Sequence, residues 1–184
     1  MRADAPDGLT PAGWAALRDH GIRTIVDLRN GDERDRAPEP EGIDVVHIEL
    51  DSLDEDEDFW ADWMHGPQFA TPLYYGPFLE RFPHRMEQVL DAIEGARPGG
   101  VLFHCVGGRD RTGLVAVVLL AIGGVTPDAI ADDYARAAER APTHDPALDD
   151  FLAERGTSAR ELIAELVGTL AFERPVLRAR LVVE

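Results

Sequence analysis

The sequence is poor in two reactive side-chain types: it has one cysteine, Cys105, and no lysine in 184 residues. A single cysteine excludes an internal disulfide and any zinc site made of several thiolates. Cys105 is therefore either an inert core thiol or a reactive one. Because all 18 lysine-or-arginine positions hold arginine, any such side chain that binds phosphate must use a guanidinium, which favours bidentate contacts.

Long apolar runs are missing as well. The longest, Leu114 to Ile122, has about half of the roughly 18 residues that a membrane span needs, and it is typical of a buried helix. Residues 1–20 contain no apolar block behind a basic start, so no secretory signal is expected. We therefore predict a cytoplasmic protein.

Positive charge is in deficit, and the formal net charge is −17. Such a field repels nucleic acid and anionic lipid surfaces, which proteins bind through lysine and arginine. We therefore expect neither nucleic acid nor a membrane as a partner. Six of the eight residues from Asp51 to Asp58 are acidic, but their spacing does not fit a calcium-binding loop, and we predict a solvated loop there.

The hydrophobic pattern predicts one α/β domain over residues 1–184, with 45% of the residues apolar and enough of them to build a core. Apolar stretches typical of strands lie at residues 22–28, 43–50 and 101–103. Helical spacing and capping residues predict helices at residues 9–21, 78–95, 114–122, 126–140, 145–155 and 158–171, with a kink or a fresh start at Pro83 in the second of them. We therefore expect a central, mostly parallel sheet flanked by helices, with a glycine-rich loop between a buried strand and a buried helix.

That loop reads HCVGGRDRTG, and we call it the phosphate loop (His104 to Gly113). Its backbone N–H groups can turn inward around an anion at the positive end of the helix that follows. The same positive end favours a thiolate at Cys105, which is therefore the predicted nucleophile. The loop residues predicted to bind the phosphate of a substrate are Val106, Gly107, Gly108, Arg109 and Thr112.

Side chains of the phosphate loop suggest distinct roles. Arg111 follows Cys105 by six positions, so a loop wrapped around phosphate brings its guanidinium opposite the sulfur. Asp110 is placed to protonate the leaving oxygen, and Thr112 can also donate its hydroxyl to the thiolate. His104 is expected to support the cysteine backbone from behind. This set predicts hydrolysis of phosphate monoesters through a phosphocysteine, with no metal and no cofactor.

Other interpretations of Cys105 stay open. It could be a core cysteine, although a packed turn has no need of the glycines and charges that follow it. A sulfurtransferase or an arsenate reductase would also place a cysteine in an anion-binding loop, but neither accounts for Asp110 and Thr112 beside Arg111. A third alternative is a phospho-residue binding module without turnover.

The phosphate loop also resembles the signature of the tyrosine phosphatases, and its GRDRTG half is close to the GKDRTG of a bacterial branch of that family. The resemblance extends to LTPAGWAALRDHGIRTIVDLRNGDE, which is similar to that branch's helix, strand and DLR motif. It implies a cysteine phosphatase-like fold, with Cys105 as the phosphocysteine nucleophile, Arg111 as the phosphate ligand and Asp110 as the acid. It further implies that Asp27 and Arg29 border the site, with Asp27 as the alternative acid.

The expected substrates follow from the same resemblance. They are phosphorylated proteins or small phosphate esters, with phosphotyrosine first and phosphoserine, phosphothreonine and phosphoinositides left open. The chain departs from the family at Arg109, where members usually carry lysine, so a lipid preference does not follow from that position. Members usually also have an amino-terminal hairpin before an Arg-Ser or Arg-Ala pair, and this chain starts near that pair, at Arg2 and Ala3. We therefore expect an upstream start or an uncovered sheet edge that pairs in a homodimer.

Overall fold

The computed structural model describes residues 1–34, 40–141, 145–170 and 174–181. Contacts between residues divide the chain into two compact units, each built from two segments. Unit 1 consists of Met1–Ser52 and His84–Thr112, and unit 2 consists of Leu53–Pro83 and Gly113–Glu184. The single domain over residues 1–184 stays a prediction.

Strands and α-helices are interspersed in the chain as far as the last described strand, and α-helices alone follow in the described residues after it. The strands are β1 (Arg2–Ala3), β2 (Ile22–Asp27), β3 (Asp44–His47) and β4 (Gly100–His104). The helices are α1 (Pro11–Asp19), α2 (Glu57–Met64), α3 (Tyr75–Arg81), α4 (Pro83–Gly95), α5 (Asp110–Ile122), α6 (Pro127–Arg140), α7 (Pro146–Ala153), α8 (Ala159–Thr169) and α9 (Pro175–Leu181). Ala171, the last residue of the helix predicted over 158–171, lies outside the described residues.

All four strands of the described sheet belong to unit 1 and run parallel, in the order β1-β4-β2-β3. This arrangement confirms the predicted α/β class with a mostly parallel sheet. In the register of the sheet, Asp27 lies opposite His104 on one side and His47 on the other. Because the strands are parallel, their carboxyl ends meet at one edge, which is where ligands bind in open α/β sheets.

One side of the sheet in unit 1 is covered by α1. Ile22, Ile25 and Leu102 form a buried cluster, and Trp14 and Leu17 of α1 pack against it. The helix begins as its sequence predicts, because the Thr10 side chain accepts a hydrogen bond from a backbone N–H of the first turn and proline follows it. This packing holds β2 in place at the centre of the unit.

Beyond the end of β3, the chain keeps hydrogen bonding to the neighbouring segment. Ile48 N donates to Asp27 O at 2.9 Å, and Leu50 N donates to Leu28 O at 3.4 Å. Ile48 and Leu50 are buried, in agreement with the strand predicted over 43–50, although the regular strand is shorter. The extended course brings Asp51 to the carboxyl-terminal edge of the sheet.

Unit 2 contains residues 53–83 together with the later helices. An aromatic cluster forms its core, in which Trp60 stacks on Phe82 with ring centroids 5.9 Å apart. The helix predicted over 78–95 is divided at Phe82, and Pro83 begins a new helix because its ring is tolerated in a first turn. Within the described ranges, no helix has both the length and the apolar content that crossing a membrane requires.

Candidate active site

The phosphate loop joins the end of β4 to the start of α5, as the sequence predicts. Gly108 has φ +66°, and a Cβ atom there would lie 2.7 Å from the Ala3 carbonyl oxygen, so the position requires glycine. The loop is tied to its surroundings by a hydrogen bond of 3.0 Å from Ala5 N to Val106 O. The first turn of α5, which begins at Asp110, offers N–H groups that have no partner inside the helix, an arrangement suited to an anion.

Cys105 directly follows β4 and has a free thiol that is 3% exposed. Val106 beside it is 45% exposed and is a large apolar side chain at the surface of the loop. His104 is buried, and its Nδ1 lies 3.0 Å from the Cys105 carbonyl oxygen. A carbonyl oxygen only accepts, so Nδ1 donates, and burial lowers the pKa of His104, which keeps the ring neutral. His104 thus holds the cysteine backbone in the place expected for a supporting residue.

Arg111 is held between two carboxylates. Its Nη2 donates to Glu33 Oε1 at 2.7 Å, its Nη1 donates to Glu33 Oε2, and its Nε lies 3.3 Å from Asp51 Oδ2. Burial works against the charge, but the Glu33 hydrogen bonds and the nearby charges of Asp51 and Cys105 raise the pKa of Arg111. The guanidinium is therefore permanently charged and lies within electrostatic reach of the Cys105 sulfur.

Asp51 is a residue of this site that the sequence analysis missed. The prediction of a solvated loop from residue 51 was wrong for Asp51, which is 4% exposed. Burial raises its pKa to about 6 against the charge of Arg111, and the charges of Glu33 and Asp110 add to the rise. Its position directly after an alternating apolar stretch was the signal that could have found it, since polar side chains at strand ends gather at one edge of a parallel sheet.

Asp110 begins α5, and its side chain is 28% exposed. Arg109 Nε donates to its two carboxylate oxygens, at 3.1 and 3.3 Å. Burial raises the pKa of Asp110, although the charge and hydrogen bonds of Arg109 act in the opposite direction. The carboxyl thus keeps its proton to higher pH than an ordinary aspartate does, which suits a general acid. Arg109, predicted to bind substrate, is itself largely buried and contacts Asp110.

Thr112 is fully buried within the phosphate loop. Its hydroxyl oxygen has no hydrogen-bond partner among the residues that the structure describes, and the same holds for Asp51 Oδ1. Buried polar atoms without partners are costly, and where they occur in a site they indicate a bound group or a role in the reaction. Two such oxygens, Thr112 Oγ1 and Asp51 Oδ1, therefore belong to residues close to Arg111, since Thr112 follows it in sequence and Asp51 contacts its guanidinium.

Asp27 and Arg29 form a charged network instead of an open surface. Asp27 Oδ1 accepts hydrogen bonds from Arg29 N at 3.1 Å and Nε at 2.9 Å, while Oδ2 accepts from Arg29 Nη2 at 2.9 Å and Arg34 Nε at 3.1 Å. Arg29 also binds Asp7. Burial alone would raise the pKa of Asp27, but the hydrogen bonds and the charge of Arg29 lower it. A carboxylate with these partners is poorly suited to donate a proton.

Metal-ligating side chains are not gathered at this site. Across residues 1–34, 40–141, 145–170 and 174–181, no group of three or more histidine, cysteine, aspartate or glutamate side chains could hold a metal ion. The chemical groups that the structure does bring together are a thiol, a guanidinium, a carboxyl with a raised pKa and backbone N–H groups.

Comparisons with known proteins agree with this geometry. The model of the tyrosine phosphatase family matches residues 1–180. The chain is 32% identical over 131 residues to a tyrosine-protein phosphatase of Nostoc commune, an alignment that covers 69% of this chain and 44% of the relative. It is 30% identical over 197 aligned positions to the triple specificity protein phosphatase PtpB of Mycobacterium tuberculosis, with 91% of this chain and 70% of the relative covered. The chain thus spans less than half the length of the first of these relatives.

Proposed function

The chain belongs to the tyrosine phosphatase family, and we propose on that premise that it hydrolyses phosphate monoesters with Cys105 as nucleophile. The observation that carries the proposal is the position of Cys105 between β4 and the first turn of α5, within electrostatic reach of the charged Arg111. A thiolate, a fixed cation and the backbone N–H groups of a helix start in one short loop are what attack on a phosphorus atom requires.

The proposed reaction has two steps. In the first, the Cys105 sulfur attacks phosphorus, the ester P–O bond breaks, and Asp110 gives its proton to the leaving oxygen. In the second, Asp110, now a carboxylate, takes a proton from water as the water oxygen attacks phosphorus, and the S–P bond breaks to return the thiolate. Arg111 and the loop N–H groups bind the phosphoryl oxygens throughout. The raised pKa of Asp110 and its place at the start of α5 support this assignment over Asp27.

We further propose phosphotyrosine as the first substrate class. Support comes from the exposed apolar side chain of Val106 beside the nucleophile, which can pack against the aromatic ring of such an ester. The mycobacterial relative is named for triple specificity, and phosphoserine, phosphothreonine and phosphoinositides stay further candidates for this chain. The cytoplasmic location and the homodimer stay predictions.

The deciding experiment measures phosphate release from an aryl phosphate by wild type and by Cys105→Ser. We expect no measurable turnover by the variant, with an unchanged circular dichroism spectrum, and inhibition of the wild type by vanadate. Turnover by Cys105→Ser that persists would contradict the mechanism. Transfer of sulfur from thiosulfate, reduction of arsenate, or tight phosphopeptide binding without phosphate release would favour the alternatives considered from the sequence.

A further inference from the structure

Negative charge exceeds positive charge around Arg111. Its guanidinium contacts the carboxylates of Glu33 and Asp51, while Asp110 and Cys105 lie within electrostatic reach of this group. A phosphate ester that binds there adds further negative charge to a buried setting. Like charges held close together in a buried site disfavour the ionised form of the weakest-held acid, so one of the carboxyls has to become neutral.

Asp51 is the carboxyl whose ionised form is least supported. Only one of its oxygens contacts Arg111, at 3.3 Å from Nε, and the other has no hydrogen-bond partner in the described part of the chain. Glu33, in contrast, accepts two hydrogen bonds from Arg111 and one of 2.8 Å from Asn30 N. Burial opposes the ionisation of Glu33, but these hydrogen bonds hold its pKa below the ordinary value, so Glu33 stays charged.

We propose that Asp51 is a positioning residue for Arg111, and that it takes up a proton when the phosphate group of a substrate binds. This role rests on the proposed function, because it concerns the same phosphate site. The proton comes from solvent and adds to a carboxylate oxygen of Asp51. The negative charge of the protein groups in the site therefore falls by one unit as the dianion enters. The carboxyl still lies beside Arg111 Nε, and the groups that face it are Arg111 and Asp110 from α5 and Glu33 from the segment after β2.

The pH range of this coupling follows from the buried position of Asp51. With a free-site pKa of about 6, Asp51 is ionised at neutral pH and already protonated about one pH unit or more below 6. Phosphate binding is therefore coupled to uptake of a proton near neutral pH and is uncoupled from it in mild acid. By linkage, the dissociation constant rises by up to about tenfold for each pH unit above 6, as long as the bound form keeps its proton.

The test uses sulfate as the probe, because it is a tetrahedral dianion that does not itself titrate in this range. The full chain with Cys105→Ser removes the reactive thiol, and calorimetry in two buffers of different ionisation enthalpy counts the protons taken up. We expect uptake approaching one proton at about pH 7 and none at about pH 5.

The variant Asp51→Asn, in the same Cys105→Ser background, keeps an oxygen that can accept from Arg111 Nε but cannot titrate. We expect it to bind sulfate with no uptake and with a dissociation constant that changes little with pH. Asp58→Asn removes an exposed carboxylate from the same acidic segment and serves as the matched control, with uptake as in the parent. Asp51→Ala loses both the charge and the contact, and we expect weaker binding than in Asp51→Asn at every pH.

Binding of sulfate without proton uptake, or equal uptake in Asp51→Asn, would overturn the role of Asp51 and leave the proposed function intact. Should Asp51→Asn fail to fold, the pH dependence of proton uptake by the Cys105→Ser chain is the deciding measurement. Uptake that does not decline below about pH 6 would overturn the proposal. If none of these proteins, the parent included, binds sulfate, phosphate or vanadate, the proposed function is overturned, and the role of Asp51 with it.

Discussion

Two segments meet at the carboxyl-terminal edge of the sheet in unit 1, and they differ in how their carboxyl groups are held, although each also has one buried oxygen without a partner among the described residues, Asn30 Oδ1 and Thr112 Oγ1. In the DLR segment (Asp27–Glu33), the carboxylate oxygens of Asp27 and Glu33 accept hydrogen bonds from arginine side chains or backbone N–H groups. In the phosphate loop, the Thr112 hydroxyl has no partner among the described residues, and Asp110 has a raised pKa. The first segment is an electrostatic framework, and the second keeps polar groups ready for a ligand.

This difference predicts which substitutions should change stability and which should change turnover. Removing one partner from a buried, fully paired network leaves an uncompensated charge and costs stability. Removing a polar group that has no partner in the folded protein costs little stability, but it can cost turnover if the group acts on a bound phosphate. Each prediction below tests one side of this division.

The largest expected effect is on turnover, from Asp110→Asn in the phosphate loop. General acid catalysis contributes about 10²- to 10⁴-fold, so we expect kcat for an aryl ester with a poor leaving group to fall within that range. The active form of Asp110 is protonated and is lost as the pH rises through its raised pKa, so the variant should lack the alkaline limb of the wild-type pH profile. Alkylation of Cys105 by iodoacetate should continue in the variant.

An ester with a good leaving group is the control for Asp110→Asn, because it needs little protonation and should be hydrolysed at nearly the wild-type rate. An unchanged pH profile for the poor leaving group would show that Asp110 is not the acid. Asp51, the other carboxyl of the site with a raised pKa, would then be the next candidate.

The phosphate loop could be predicted from sequence because its parts are contiguous. Cys105 and Arg111 are six positions apart, and a strand, a glycine-rich turn and a helix start fix their relation locally. Three of the four described strands were recognisable for the same reason, since β-branched runs of a few residues carry their own signal. The fourth, β1, has only the two residues Arg2 and Ala3 and was not predicted. Local patterns therefore predicted the fold class, which the structure confirms, and Cys105 as the nucleophile, which stays a prediction.

The carboxylates that hold Arg111 could not be predicted in this way. Glu33 and Asp51 reach it through the parallel pairing of β2 with β3 and β4, and no local pattern records which residue faces which across strands. Asp51 was further hidden by its acidic neighbours, several of which are exposed, so composition favoured a solvated loop. The division of the 78–95 helix, in contrast, could be predicted from sequence, because Pro83 marks a kink or a new helix start.

An intermediate effect, on stability, is expected from Asp27→Asn in the DLR segment. The change leaves Arg29 and Arg34 without the charge of their shared partner, and breaking a buried pair costs about 3 kcal/mol or more of the free energy of unfolding. The folded-state pKa of Asp27 lies below its unfolded value of 3.8, so its stabilisation is complete above that pH and is lost in more acidic solution. Urea unfolding at neutral pH and at about pH 3 should therefore show a difference from wild type that shrinks in acid.

Asp32→Asn is the matched control, since Asp32 is an exposed carboxylate of the same segment and should leave stability nearly unchanged. Equal stability of Asp27→Asn and wild type at neutral pH would show that the ion pairs of Asp27 do not stabilise the fold. Loss of turnover in that variant without loss of stability would instead favour Asp27 as the acid of the reaction.

The smallest expected effect comes from Thr112→Val, which sharpens the comparison because the hydroxyl it removes has no partner among the described residues. Stability should change by less than about 1 kcal/mol, since no hydrogen bond of the folded protein is broken. If the hydroxyl donates to the Cys105 thiolate during the reaction, kcat should fall by about tenfold, the value of one hydrogen bond to a charged group. Thr24→Val is the control, because Thr24 on β2 is also buried with an unpartnered hydroxyl but belongs to the strand interior. An equal effect of Thr112→Val and Thr24→Val on turnover would mean that the reaction does not use the Thr112 hydroxyl. The DLR segment and the phosphate loop would then differ only in their contribution to stability.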